Sequence, residues 1–363
     1  MRRIADTIED MTRVGIVTFS LLLVVIWSAF GVRGQEVETR FVYRGTADAS
    51  AGIALSDDTF VVGSDESLFV PKHLKKGENV LFVYKVGTSQ PLYTVRLESI
   101  LRSGDSNNEA DIEAAARIGN RIFWISSHGH NAEGKSRPDR FNFFATDIDD
   151  KGKLGLSGGK RPLLSYKNLL IDLIDDNNYA KFDLGKLHRS AIAPKRGGVN
   201  IEGMAAAPNG HLLIGFRSPI VDGKALIAPL TNPNDVVTQA KRAIFDEPVE
   251  LDLGGLGIRD IVFWQKGKCF LIIGGPVGEE GTSWLYRWDG NVSDDGIATP
   301  QRLENIDFNG LNPEAIVIYP NSDKIQILSD DGAKMITTEK GKIVENKSLR
   351  DNSRTFRSVW IKL

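Results

Sequence analysis

The sequence predicts an all-β chain folded as a β-propeller, and three observations predict it. A strand–turn–strand unit recurs five times. One column of that unit is charged in four of the five copies, and the residue closing each second strand is always small. The clearest copy is Asn200 to Pro219, NIEGMAAAPNGHLLIGFRSP, in which the apolar run Met204 to Ala207 meets a Pro-Asn-Gly turn and a second run, His211 to Phe216, ends at Arg217. Asn and Gly tolerate positive φ, as a tight turn between two apolar runs requires. The same pattern starts at Asp111 (DIEAAARIGNRIFWISSHG), Gly257 (GIRDIVFWQKGKCFLIIGGP), Asn312 (NPEAIVIYPNSDKIQILSDDG) and, more weakly, Ser50 (SAGIALSDDTFVVGSDE).

Aligned on the third residue of each copy, the column reads Gly52, Glu113, Glu202, Arg259 and Glu314, and the closing residues are Gly63, Ser126, Gly215, Gly274 and Ser329. Further strand candidates follow each pair, including NVLFVYKV with PLYTVRLE, RFNFFATDI, KALIAPL, and SWLYRW before Asp289-Gly290. Each unit is therefore about four strands long. Four-stranded units repeated radially make a propeller, whereas solenoid repeats are shorter and need polar caps. Five blades result, and the longest interval leaves room for a sixth, degenerate one. Within that interval, an insertion around residues 151–199, SYKNLLIDLIDD has the apolar spacing of a short helix. Near the two ends, TRFVYRG and FRSVWIKL are strands without neighbours in sequence, so mixing them in one blade would close the ring and cover both edges.

The 363 residues suffice for one large all-β domain, assigned to residues 40–363, and 41% hydrophobic content supports a sizeable core. A net charge of −2 argues against nucleic acid or an anionic membrane surface as a general partner. Residues 1–34 stand apart. Arg2, Arg3 and Arg13 precede an uncharged run from Val14 to Val32, with Ala29 and Gly31 spaced for cleavage. This reads as a signal peptide, or as an uncleaved anchor formed by residues 14–32, and in either case as export to a periplasmic or extracellular location. Cys269 is the one cysteine, so no intramolecular disulfide forms, and its setting in CFLII is that of a small buried hydrophobe.

SHGHNAEGK (127–135), GGVNIEGMA (197–205), LLIGFRSP (212–219), DGKALIAPL (222–230) and LDLGGLGIRDI (251–261) together resemble a family of exported bacterial proteins, domain of unknown function thirty-six-sixteen. The resemblance covers nearly all of the chain after about residue 40 and implies a propeller of unassigned activity. More distantly, the acidic residues at the strand starts resemble the esterase-like propellers named after phytase. No ligand set transfers from that likeness, because function does not travel with fold.

In a propeller, equivalent positions of successive inner strands converge on the axis. That places Glu113, Glu202 and Glu314 together with Arg259, and Asn200 and Asn312 just upstream. Three carboxylates in a narrow channel repel one another unless a proton, a cation or Arg259 compensates. Hard oxygen ligands suit calcium, or magnesium, so these three glutamates with Asn200 and Asn312 are the candidate metal ligands, and a salt-bridged ring is the alternative. A second ring follows the second strands, with Asp65, His128, Arg217 and Asp331, and near it lie His130, Lys135, Arg137 and Arg140. Arginine grips phosphate or carboxylate groups bidentately, so His128, Arg217 and Arg259 are candidates for handling a small anionic ligand. His128-Gly129-His130 lacks a matched third ligand for zinc, and Trp124, Trp264, Trp284, Trp288 and Trp360 sit in strand candidates as core. Two functions follow. One is a non-catalytic protein binding a small anionic ligand or a protein partner. The other is a calcium- or magnesium-assisted hydrolase of a phosphate ester, ester or lactone, with His128 as acid or base.

Overall fold

A computed structural model describes residues 37–68, 78–101, 109–156, 165–308 and 310–363. The leader assigned to residues 1–34 lies outside them. Among the described residues no helix is long and apolar enough to cross a membrane. Gly34–Leu363 forms one compact unit.

Five sheets make five blades. Blade 1 runs outward as Ala51–Ala54, Thr59–Gly63, Val80–Lys85 and Tyr93–Arg96, and blade 2 as Ile112–Ile118, Arg121–Ser126, Phe143–Ile148 and Leu154–Gly155. Blade 3 is Asn200–Ala206, Leu212–Val221, Lys224–Leu230 and Val249–Leu251, extended by a parallel pairing with Ile297–Ala298. Blade 4 is Gly257–Trp264, Cys269–Gly275, Trp284–Trp288 and Gln301–Arg302. Blade 5 begins with Pro313–Ile318 and Lys324–Ser329 and is completed by Thr355–Lys362 and then Val37–Arg44. The inner strands neighbour one another in sequence order, and that of blade 5 returns to that of blade 1, closing the ring.

The core is a set of apolar layers between blades. Tyr43, Phe60, Tyr84 and Phe356 fill the layer between blades 5 and 1, Ile258 and Phe270 that between blades 3 and 4, and Leu271, Ile316 and Ile327 that between blades 4 and 5. The small closing residues serve these layers. A Cβ on Gly215 would fall 2.8 Å from Ile258 Cγ2 of the next blade, so only glycine lets blade 4 approach this closely. Trp124, Trp264 and Trp288 are buried, Trp284 and Trp360 partly so, and Cys269 is a buried free thiol, as their strand settings predict.

The long interval holds no sixth blade among its described residues. It carries instead the short helices Leu169–Ile174 and Leu184–Arg189 and the 3-10 turns Asn177–Phe182 and Pro194–Arg196. Leu169, Leu170, Leu173, Tyr179, Phe182 and Leu184 bury into the layer that also holds blade 2's Phe143 and Phe144, which explains the apolar spacing of the segment.

Closure joins both ends of the propeller within blade 5. Thr355–Lys362 pairs antiparallel with Lys324–Ser329 on one side and with Val37–Arg44 on the other. Its Phe356, Val359 and Ile361 are almost fully buried. Deleting residues 355–363 should therefore orphan two strand edges and remove three core side chains, of which the aromatic alone costs about 3–5 kcal/mol when truncated to alanine. The expected product is insoluble or lacks a cooperative melt by calorimetry. A soluble product with a sharp transition would show that this strand does not close the ring.

Candidate functional site

The charged column is built by a shared backbone irregularity. In blades 2, 3, 4 and 5 the register between the first two strands shifts around Glu113, Glu202, Arg259 and Glu314 respectively. A bulge adds one unpaired residue and re-aims its side chain, so each repeat turns the same position out of its sheet. Blade 1 pairs without a shift at Gly52, where a Cβ would fall 2.7 Å from Val317 Cγ2 of blade 5. The fifth place in the ring is supplied by acids from flanking segments, Asp48 before the first strand of blade 1 and Asp65 after its second.

The side chains so gathered divide into compensated and uncompensated carboxylates. Arg217 Nη1 donates to Glu202 Oε1 at 2.8 Å, and Asn200 Nδ2 donates to the same oxygen at 2.7 Å. Arg217 also donates through Nε to Pro276 O and through Nη2 to Gly278 O, both at 2.9 Å, so its guanidinium is fully employed in the wall of the site. Arg259 pairs through Nη1 with Glu314, and its stem crosses Gly275, where a Cβ would sit 2.7 Å from Arg259 Nε. Asn312 Nδ2 donates to Glu314 Oε1 at 3.2 Å and to Asp330 Oδ2 at 3.1 Å. Arg357 pairs with Asp331, and Lys347 with Glu66. Asn200 and Asn312, expected as neutral ligands, thus act as donors that hold carboxylates.

Among the described residues Glu113 has no such partner. Its carboxylate lies with those of Asp65 and Asp111 so that one oxygen from each falls within 4.8 Å of the others. Asp111 is buried and pairs with Arg140 Nη1 at 3.1 Å, while Arg140 Nη2 reaches Glu109 Oε2 at 3.4 Å. Asp65 and Glu113 keep partial access to solvent. Asp48 Oδ2, Asp65 Oδ1 and Glu202 Oε2 are buried oxygens without a hydrogen-bond partner among the described residues. Asp111 and His128 both adopt left-handed backbone, at φ 55° and 53°, and the Ser127 amide donates to Asp111 O at 3.0 Å, fixing the two segments together.

The proton affinities follow from this crowding. Burial, reinforced by Asp111, Glu202, Asp65 and Glu314, pushes the Glu113 carboxyl well above the usual range. Burial raises Asp65 strongly, with Asp330 next in effect, and burial raises Asp48, with Asp65 next. Asp111 is raised by burial, with Arg140 and Ser127 pulling it back. Glu314 is pushed up to about 8 by burial and Asp330 against the opposing pull of Arg259. Asp260, one residue past the blade 4 bulge, is raised to about 8 by burial although it accepts the amides of Ile261 at 2.8 Å and of Ile316 at 2.7 Å. It staples the inner strand of blade 4 to that of blade 5. Sequence reading missed that role, since nothing in Arg259-Asp260 distinguishes an axial charge from an inter-blade acceptor.

His128 is enclosed. Its ring is fully buried, Nδ1 lies 2.8 Å from Ser126 O, Nε2 has no partner among the described residues, and burial drops its pKa to about 4. His130 stacks near His188 with ring centroids 5.3 Å apart, and burial lowers its pKa as well. Among the described residues the one group of three close metal-ligating side chains is the acidic one. Arg140, read from sequence as a loop cation beside Lys135 and Arg137, is instead the ion-pair partner of Asp111 and Glu109.

Removing Arg259 should leave Glu314 uncompensated, and breaking a buried pair costs on the order of 3–5 kcal/mol. Arg259→Leu is expected to melt well below the unaltered protein, and adding Glu314→Gln should restore most of the loss. A single variant with an unchanged Tm in calorimetry would show that the pair does not stabilise the axis.

No curated protein matches the sequence. Among solved structures, a protein of unknown function from Bacteroides caccae is 14% identical, with 80% of this chain and 72% of that one covered at a TM-score of 0.31. A β-1,3-galactosidase solved with galactodeoxynojirimycin is 11% identical over 88% and 93% of the two chains, at 0.43. The PQQ-bound aldose sugar dehydrogenase of Streptomyces coelicolor is 10% identical over 89% and 98%, at 0.38. Residues 161–341, spanning much of the insertion, blades 3 and 4 and part of blade 5, match the family described as "Protein of unknown function (DUF3616)", and this five-bladed propeller is thereby placed with that family.

Proposed function

We propose that the chain is a binding protein that holds a calcium ion at one end of the propeller axis and presents it to a small anionic ligand. The observation that carries this reading is the trio Asp65, Asp111 and Glu113, whose oxygens lie within 4.8 Å of one another and to which, among the described residues, one cation is paired, Arg140 on Asp111. Calcium binds oxygens at about 2.3–2.6 Å, so ligands on opposite sides of the ion stand about 5 Å apart, which matches that span. The donor set is all hard oxygen, and one of its members, Asp65, has a buried Oδ1 with no hydrogen-bond partner among the described residues. Calcium tolerates such unequal surroundings better than magnesium, which demands a near-ideal octahedron. The leader supports export, and exported proteins meet calcium readily.

The anionic ligand would engage the ion. Arg217 and Arg259, first considered for that task, are occupied by Glu202 and Glu314. A cation-assisted hydrolase would need a proton donor beside the ion. Burial keeps His128 in its neutral form near pH 7, which is not an acid of useful strength, and closes it off from solvent, which favours binding over hydrolysis.

Titration of chelator-treated protein with calcium should give one site in calorimetry. At a hundredfold excess over Kd the ion should stabilise the fold by about 2.7 kcal/mol. Glu113→Gln should remove the effect while leaving the chelated form as stable as before, or more so. No heat of binding together with a Tm indifferent to chelator would dismiss the ion.

The pH dependence has a definite sign. Carboxyls whose pKa is raised by folding favour the folded state while protonated, and that contribution is lost as pH climbs from about 4, the unfolded value, towards about 8, where Glu314 and Asp260 end the window. The chelated protein should therefore lose Tm across that range, and calcium should restore it most at the alkaline end. Parallel Tm–pH curves with and without calcium would count against a cation among these acids.

A further inference from the structure

A second site lies away from the axial acids. The 3-10 turn and helix at Lys181–Leu187 and the turn at Lys195–Gly197 face Pro219–Asp222 of blade 3 and Val277–Gly278 of the loop after blade 4's second strand, lining a cleft of about 830 Å³ that lies largely open to solvent. That lies within the range of about 300–1,000 Å³ usual for small-molecule sites. Its lining is unlike the axis. Phe182, Leu187, Pro219, Ile220, Val221 and Val277 give it an apolar surface. Four cations, Lys181, Lys186, Lys195 and Arg196, stand round it against two acids, Asp183 and Asp222.

Two of the cations are already engaged. Lys181 pairs with the buried Glu250 and lies over the Phe182 ring at 5.1 Å, and Lys195 reaches Glu279 at 2.8 Å. Lys186 and Arg196 are exposed and make no ion pair or side-chain hydrogen bond among the described residues. An open guanidinium and an open ammonium beside an apolar wall are complementary to one kind of occupant, an anionic head on a short apolar body. Guanidinium binds phosphate or carboxylate through paired N–H groups, and ammonium adds a point charge.

We propose that this cleft binds a small amphiphilic anion, its phosphate- or carboxylate-type head between Lys186 and Arg196 and its apolar part against Val277, Ile220 and Leu187. The cleft wall is fixed from behind, because Arg217 donates to Pro276 O and Gly278 O while holding Glu202. The proposal does not depend on a cation at the axis. None of the three acids Asp65, Asp111 and Glu113 lines the cleft.

The test uses the whole protein, with the fluorescence of 8-anilino-1-naphthalenesulfonate as reporter and hexyl phosphate as competitor, in the presence and absence of chelator. Hexyl phosphate should displace the dye at a concentration at least about tenfold lower than inorganic phosphate does, a difference equivalent to about two buried methylenes. The double substitution Lys186→Ser with Arg196→Ser should weaken hexyl phosphate at least about tenfold with an unchanged Tm. Val277→Asp should weaken it through the apolar wall. Chelator should change neither result, so failure of the axial ion and failure of this site are read separately. Equal displacement by inorganic phosphate would reduce the cleft to a charged patch, and an unaffected double variant would place the dye elsewhere. Binding to phosphatidylserine vesicles without binding of hexyl phosphate would assign the cations to a membrane surface. Each of these three outcomes overturns the proposal.

Discussion

A one-residue bulge near the start of four inner strands sets what this propeller can do at its axis. Regular pairing would leave Glu113, Glu202, Arg259 and Glu314 within the alternation of their sheets, where layers between blades leave no room for charge. The bulge takes each out of that alternation at the same height, so a local irregularity repeated by sequence becomes a ring. Blade 1 departs from the pattern because Gly52 lies against Val317 and Leu328 of blade 5, leaving no space for a side chain. That departure is why the ring is asymmetric and why Asp48 and Asp65 enter it.

The electrostatics follow from the asymmetry. Where a bulged glutamate has an arginine beside it, as Glu202 has Arg217 and Glu314 has Arg259, the charge is closed into the structure and supports the loop behind it. Where flanking acids take that place, as around Glu113, several carboxylates share one arginine, Arg140, which pairs with Asp111 and Glu109. Burial makes ionisation costly, and neighbouring carboxylates add to the cost. Such an arrangement persists when something offsets it, a proton at low pH or a cation at higher pH.

Much of this was legible in the sequence, for identifiable reasons. Strand pairs, blade count and closure follow from alternation and turn residues, which are local, and the charged column follows from repetition. What sequence could not supply was the pairing within the column. Glu113 and Glu202 occupy the same repeat position, yet one is open and the other closed, because the difference lies in Arg217 and in Pro276 and Gly278 of the next blade's loop. Asp48 and Asp260 were missed because each is set by contacts between blades. Asp65 and Asp330 carry a faint signal, a Ser-Asp pair just after the second strand in blades 1 and 5. The axial arginines looked free in the sequence because their partners are set by the fold, and the structure pairs Arg217 with Glu202 and Arg259 with Glu314.

The route by which blade 5 is completed also orders events in time. Its third strand, Thr355–Lys362, lies between a strand some thirty residues earlier in the chain and one at the far end of the propeller. In chain order the strand Val37–Arg44 precedes all five inner strands, yet its pairing partner Thr355–Lys362 follows every strand of the first four blades. The early strand therefore finds its partner only when Thr355–Lys362 is in place, and that one strand decides when the ring becomes a ring. Closure by this design is a single step that pairs both edges of Thr355–Lys362, so until it is taken two strand edges stand open to other chains.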